Sequence, residues 1–422
     1  MDGSSPILLT INAMSQASVE SPRLATSPLL VRPLCCPWSQ LLRVPRAALS
    51  LPVLVLALAG SLTTTAGWQL IEKVLVAPAD RDLADVRALG SWPGSGTLAR
   101  SIGPRDGADG FLPQNTPRFL AQAKTAPDDP LTSLPYRMTA PVWRVFSYSV
   151  QPQAPRSYYL AGWLWTVLVW SYFGTAITRM AVVRFGKQER LGLSDAVACS
   201  HRMWKSQMGA MILPMCGAAL LAAPMALLGG LMRWDWGAGF AGLVWGLVLV
   251  DSILLGLFVL GMLFAWPLMW GAVATEQSDA FDAISRSYAY LFQRPANYFV
   301  YCVVAIVVGM CGWVLVWGGT ASLLWLAYGG ISWGSGNDRL AQWLADPTWI
   351  HGWNRCLITL ASAYAHAFVW CAAAVIYLLM RYDVDQTEWD EVHGWTDPAT
   401  DELPNLAPAV HPQADGPTPN QP

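Results

Sequence analysis

Six apolar runs, each about as long as a bilayer's hydrocarbon core is thick, leave this chain few folds to choose from. About 20 apolar residues span that core as a helix, which satisfies its own backbone N–H and C=O groups where no water can. The runs are Ala47–Ile71, Leu160–Val182, Met208–Met232, a stretch within Gly237–Ala274, Tyr298–Tyr328 and Cys356–Met380. The fourth is long enough to tilt, or to kink at Pro267. Composition agrees, because only 13% of the 422 residues are charged, against about 25% in soluble domains. The 23 tryptophans suit a bilayer interface, where an apolar ring with one N–H donor is at home. A net charge of −2 gives no reason to expect nucleic acid as a partner.

Short-loop Lys and Arg give the orientation. Arg43 and Arg46 precede the first run, and Arg184, Lys187, Arg190, Arg202 and Lys205 lie between the second and third. Arg286 and Arg294 lie between the fourth and fifth, and Arg381 follows the sixth. Both termini are therefore expected in the cytoplasm, in a multi-pass protein of the cytoplasmic membrane. The organisation expected is a disordered N-terminal region (1–45), a first transmembrane helix (46–72) and an extracytoplasmic loop (73–157). A five-helix membrane domain (158–382) and an acidic, mostly disordered tail (383–422) follow. In the outer loop, "ADRDLADVRALG" fits a short amphipathic helix and "PVWRVFSYSV" a segment at the membrane surface. The first 25 residues lack a basic cluster ahead of an apolar core, so a secretory signal is not expected there.

One charged stretch interrupts two of the most apolar runs. On a helix over Ala280–Gln293, Phe281, Ile284, Tyr288 and Leu291 form one stripe, and Asp282, Arg286 and Gln293 the opposite face. Asp282 and Arg286 are i, i+4 with the acid first, the favourable order. A charge at the bilayer centre costs about 2.5–3.5 kcal/mol, so the segment is expected to lie at the cytoplasmic interface as an amphipathic elbow. A second elbow is expected near Asp195 and Ser200. With a shift of 87 positions, Glu189, Asp195, Ala196 and Ser200 fall on Glu276, Asp282, Ala283 and Ser287. The match reads as a parallel internal repeat, or as two interfacial connectors that share a composition. The fold class is thus all-α: a polytopic membrane protein with about six transmembrane helices and two cytoplasmic amphipathic elbows.

The Asp-Ala-(Val/Ile)-x-x-Ser elbow carries a resemblance, with "GTAITRMAVVRFGKQERLGLSDA", "WPLMWGAVATEQSDAFDAISRSYAYLFQRP" and "LLMRYDVDQTEWDEV". These stretches resemble bacterial polytopic membrane proteins of uncharacterised activity with repeated interfacial-elbow helix pairs. They are similar as well to the membrane domain attached to some glycerophosphodiester phosphodiesterases. The resemblance covers helices two to six and implies no catalytic residues, and no phosphodiesterase catalytic domain is expected in this sequence.

No HExxH, GxSxG or Walker A motif is present, so no catalytic, cofactor-binding or metal-ligating residues are assigned and no cofactor is expected. The eight cysteines match neither a disulfide framework nor a zinc spacing. Two ionisable residues fall near the middle of spanning runs, Asp251 in "GLVLVDSILLG" and His366 in "SAYAHAFVW". They read either as a pair lining a proton- or substrate-linked path, or as separate hydrogen bonds between helices. Arg179 is expected to snorkel to the inner interface, and Glu189 and Glu276 to anchor there. Arg184, Lys187, Arg190, Arg202, Lys205, Arg286 and Arg294 are candidate contacts for anionic lipid headgroups. "YDVDQTEWDEV" lacks the Gly and spacing of an EF-hand loop; it reads as a solvated acidic helix or a dock for the basic elbows. The function expected is a non-enzymatic, envelope-organising or accessory membrane protein with lipid contact. Its expected partners are the lipid bilayer and other membrane or envelope proteins. The alternative is a small transporter built on helices two to six, with a central cavity reached by Asp251 or His366.

Overall fold

A computed structural model describes residues 37–81, 83, 86, 89–90, 138–142, 144–145, 154–336, 339 and 348–392. Among them the fold is helical, with no strand. A 3-10 turn, Pro37–Arg43, leads into α1 (Val44–Ala48) and α2 (Leu51–Leu75). Then come α3 (Arg156–Gly186), α4 (Leu193–Leu231), α5 (Asp235–Glu276), α6 (Ala280–Gln293), α7 (Pro295–Ser335) and α8 (Thr348–Asp385). Six of these, α2, α3, α4, α5, α7 and α8, are long and apolar enough to cross a membrane, which makes the chain a multi-pass membrane protein. The first 30 residues, the tail beyond Trp395 and most of the outer loop lie outside the described residues.

The apolar window of α8 is 94% buried, whereas those of α4 and α5 are 6% buried. Helix α8 is therefore the central post. Helices α2, α3, α5 and α7 pack against it, so the first spanning helix belongs to the same bundle as the other five. At 1.5 Å per residue, α4, α5 and α7, with 39, 42 and 41 residues, each run about 60 Å, twice the hydrocarbon thickness. Their far halves are the exposed parts. Leu220, Leu227, Leu243, Leu247, Leu315 and Leu326 all stand open there, as lipid-facing side chains do.

Aromatic rings laid on glycines hold the helices close. The Trp68 ring covers Gly162 and Trp165 covers Gly67, so α2 and α3 exchange one ring in each direction. A Cβ added at Gly162 would stand 2.2 Å from the Trp68 ring, a distance no packing allows. Tyr377 covers Gly271 and Phe368 covers Gly309 in the same way. With lipid as apolar as leucine, such close approach supplies the dispersion energy that association in a bilayer depends on. The Trp68 Nε1–H donates to Thr166 Oγ1 at 2.9 Å and the Trp165 Nε1–H to the Thr63 carbonyl at 3.1 Å, so neither indole is left unpaired.

One boundary expectation is corrected. Residues 1–45 are not uniformly disordered, because Pro37–Arg43 is helical and Leu41 is buried against α7 and α8. At the other end the described residues run past Asp385 to Val392, short of the tail beyond Trp395. Val392 is buried, and the Trp389 carbonyl closes on Gly186.

The elbow over Ala280–Gln293 forms as a separate helix, α6. The Asp279 side chain caps it, accepting from the Asp282 N–H at 2.9 Å, and Pro295 at the start of α7 ends it. The Asp195–Ser200 stretch behaves differently. It forms the opening turns of α4 and runs on into the third span, because no breaker separates the two.

Candidate functional site: the basic end of the bundle

Eight helices meet at one end of the bundle: α1 with the start of α2, the ends of α3, α5 and α8, the starts of α4 and α7, and α6. Three of the helix ends there share one device. Gln188, Gln277 and Gln386 adopt φ of 57°, 54° and 56°, the left-handed turn that stops α3, α5 and α8. The Gln386 backbone N–H and side-chain amide both donate to the Tyr382 carbonyl, at 3.1 and 3.0 Å, and the side chain also reaches the Asp383 carbonyl at 3.3 Å.

The ungapped match of Glu189 to Glu276 does not survive these turns. Glu189 is exposed in the loop after Gln188, whereas Glu276 is the last helical residue before Gln277. Gln188 stands seven residues before Asp195 and Gln277 five before Asp282, so the second connection is two residues shorter. Asp195 is exposed in the first turn of α4, where its charge suits the helix N-terminus. The two matched serines are both buried but act differently. The Ser200 hydroxyl crosses to the Tyr172 carbonyl on α3, and the Ser287 hydroxyl donates to Ala283 within α6 at 2.6 Å.

Glu276 is the hub of this end. Its carboxylate, 8% exposed, accepts from the Tyr377 hydroxyl at 2.6 Å and faces the Arg286 guanidinium at 2.6 Å and the Arg381 guanidinium at 3.4 Å. Arg286 also clasps both oxygens of Asp282, at 3.0 and 3.1 Å. Arg286 is thus bound to protein carboxylates rather than free for a headgroup, and it ties α6 to the end of α5. Arg179 does not snorkel. It is buried, and it donates to the Ala274 carbonyl at 2.8 Å, one of the acceptors left open where α5 ends.

The acidic stretch after helix six docks, though through tyrosine and asparagine rather than through the basic elbow residues. Asp383 accepts from Asn297 at 2.9 Å and from Tyr301 at 2.7 Å, which fixes the start of α7. Asp385 accepts from the Tyr290 hydroxyl of α6. Burial, with Asp385 close by, pushes the Tyr290 phenol well above its ordinary range, so it stays a donor.

Beside this lock lies a pocket of about 350 Å³ between the start of α2, the end of α3 and α8. Arg46, Arg184 and Arg190 line it, with Ser50, Leu51 and Val53 from the first turn of α2. Arg184 and Arg190 belong to the expected headgroup contacts. Arg46 does not, although its place just before the first span put it on the same side and was the signal that could have found it. Of the other expected contacts, Lys205 is exposed with its ammonium 5.9 Å from the Trp204 ring, and Lys187 caps α3. Arg202 and Arg294 are exposed at the starts of α4 and α7.

Asp251 and His366 are not brought together. The His366 ring stacks on Trp170 at 5.3 Å, inside a cluster in which Trp270 and Trp370 stack at 4.0 Å. Its Nδ1 lies 3.2 Å from the Ser362 carbonyl, and the residue is 6% exposed. Helices α5 and α8 run side by side in register, with Trp270 on Trp370 and Glu276 at Tyr377. That register sets Asp251 about 15 residues, or roughly 20 Å, from the level of His366. Asp251 is half-buried on the far half of α5, and its Oδ2 has no hydrogen-bond partner among the described residues.

Comparison with protein-family models, with curated proteins and with solved structures gives no match.

Proposed function

We propose that this chain is a non-enzymatic, envelope-organising or accessory protein of the cytoplasmic membrane that works by contact with anionic lipid at its basic end. In this reading that end, with both termini, faces the cytoplasm. The observation that carries it is the convergence of Arg46, Arg184 and Arg190 on one pocket at the end of the bundle. Negative lipid headgroups are attracted to such a cluster at about 1 kcal/mol per cation near the surface. The transport reading has less support, since His366 packs in an aromatic core far from Asp251 and neither lines the pocket. The likeness to elbow-bearing bacterial membrane proteins is proposed as one of architecture.

The test is the lipid shell. The protein is extracted with a styrene–maleic acid polymer, and its lipids are compared with those of the whole membrane. Enrichment of anionic over zwitterionic lipid is expected, and it should persist in D251N/H366A. A shell of bulk composition would overturn the proposal.

A further inference from the structure

We infer that the Arg46–Arg184–Arg190 pocket is a specific site for one phosphate-bearing lipid headgroup carrying two negative charges. The inference rests on the lipid-contact reading and narrows it to one ligand class in one place. Arg46, Arg184 and Arg190 make no ion pair or hydrogen bond within the described residues, in contrast to Arg286 and Arg381 beside them. No Asp or Glu is among the residues that line the pocket, so three positive charges face it uncompensated among the described residues. Guanidinium forks match phosphate oxygens in pairs, which a lysine cluster does not do.

A second observation comes from α2, a helix of 25 residues whose first turn opens into the same pocket. Ser50 sits at its N-cap but gives no capping bond; its hydroxyl donates to the Ala47 carbonyl at 2.7 Å. The Leu51 and Val53 N–H groups are therefore left without a side-chain cap, at the positive end of the helix dipole. Uncapped amides beside three cations make an anion site in which backbone and side chains act together.

The remaining wall is apolar: Val53, Met180 and Leu191 line it, and Cys371 closes it on the α8 side. A free phosphate would leave that wall wet, whereas the glycerol and first acyl carbons of a lipid would cover it. The pocket also lies at the end of a spanning helix, the level at which headgroups sit. Charge then decides the headgroup. A phosphodiester with one charge offsets one of three arginines, while a phosphomonoester or a two-phosphate headgroup offsets two.

The experiment is native mass spectrometry of the delipidated, full-length protein titrated with defined ligands. These are phosphatidate, cardiolipin, phosphatidylglycerol, phosphatidylcholine and inorganic phosphate. One tight site is expected, filled by phosphatidate or cardiolipin about tenfold more readily than by phosphatidylglycerol. R46Q, R184Q and R190Q should each weaken it about tenfold or more, the scale of one lost charged hydrogen bond. R233Q, in the exposed turn between α4 and α5 at the other end of the bundle, should bind as wild type, and R190K should fall between R190Q and wild type. Size-exclusion profiles and melting temperatures of the variants report folding; R190Q, in an exposed loop, keeps the test open if R184Q does not fold. Equal binding by the arginine variants and wild type would overturn the site while leaving a general anionic preference intact. No preference for any anionic lipid in wild type would remove both readings. Inorganic phosphate competing as tightly as the lipids would overturn the lipid as the source.

Discussion

Removing the carboxylate of Glu276 should loosen the basic end more than removing any one of its partners. The structure sets the scale partner by partner. The Tyr377 hydroxyl donates to the carboxylate at 2.6 Å, a hydrogen bond to an ion worth about 1.5–3 kcal/mol. The Arg381 side chain is 12% exposed, and without Glu276 it keeps, among the described residues, the Glu391 carbonyl at 2.7 Å. Arg286 is 44% exposed and keeps Asp282, so solvent screening limits its share to about 0.2–1 kcal/mol. Glu276→Ala should therefore cost about 3–5 kcal/mol, the range for breaking a buried ion pair from one side. Tyr377→Phe should cost about 1.5–3 kcal/mol and Arg286→Gln no more than about 1 kcal/mol. The assay is reversible unfolding in mixed dodecylmaltoside–SDS micelles, read by tryptophan fluorescence. The order Glu276→Ala, Tyr377→Phe, Arg286→Gln is the prediction. An Arg286→Gln variant as unstable as Glu276→Ala would refute the reasoning, because it would make the exposed pair the main support.

Three further outcomes follow from the same geometry. Gly162→Val should destabilise the α2–α3 pair by at least about 1–3 kcal/mol, because its side chain would occupy the space of the Trp68 ring; a melting curve of the purified protein checks this. Asp383→Ala strips Tyr301 and Asn297 of their acceptor and should cost about 1.5–3 kcal/mol, with faster proteolysis near Pro295 as the local readout. Asp251→Leu should leave stability unchanged or raise it by up to about 3 kcal/mol, since it removes a carboxylate oxygen with no partner from the apolar stretch of α5; a clear loss of stability in the same melt would show a partner for Asp251.

The spans were legible because hydropathy is summed over about 20 residues, and one local exception does not hide the total. The elbow over Ala280–Gln293 was legible for a local reason as well: its stripe, its Asp cap and Pro295 are all written within one short segment. What the sequence did not disclose is non-local. Nothing near Asp195 tells that its segment would run unbroken into α4, because that depends on the absence of a stop rather than on a signal. The pairing of Trp68 with Gly162, or of Glu276 with Tyr377, joins residues about a hundred positions apart, and only the packed bundle brings them together. Arg184 and Arg190 could be named as headgroup contacts from their loop. Their convergence with Arg46 required knowing that the start of α2 lies against the end of α3. Asp251 and His366 look alike in sequence, each a lone ionisable residue in an apolar run. The register of α5 against α8 separates them.

If the protein works at its basic end rather than in the middle of the bundle, the arginines there matter more than Asp251 and His366. The direct measurement is complementation of a strain deleted for the protein by two variants expressed at wild-type level, D251N/H366A and R46Q/R184Q/R190Q. D251N/H366A should restore the wild-type phenotype, and the arginine triple variant should not. Restoration by the triple variant, with failure of D251N/H366A, would contradict this and return the function to the bundle interior.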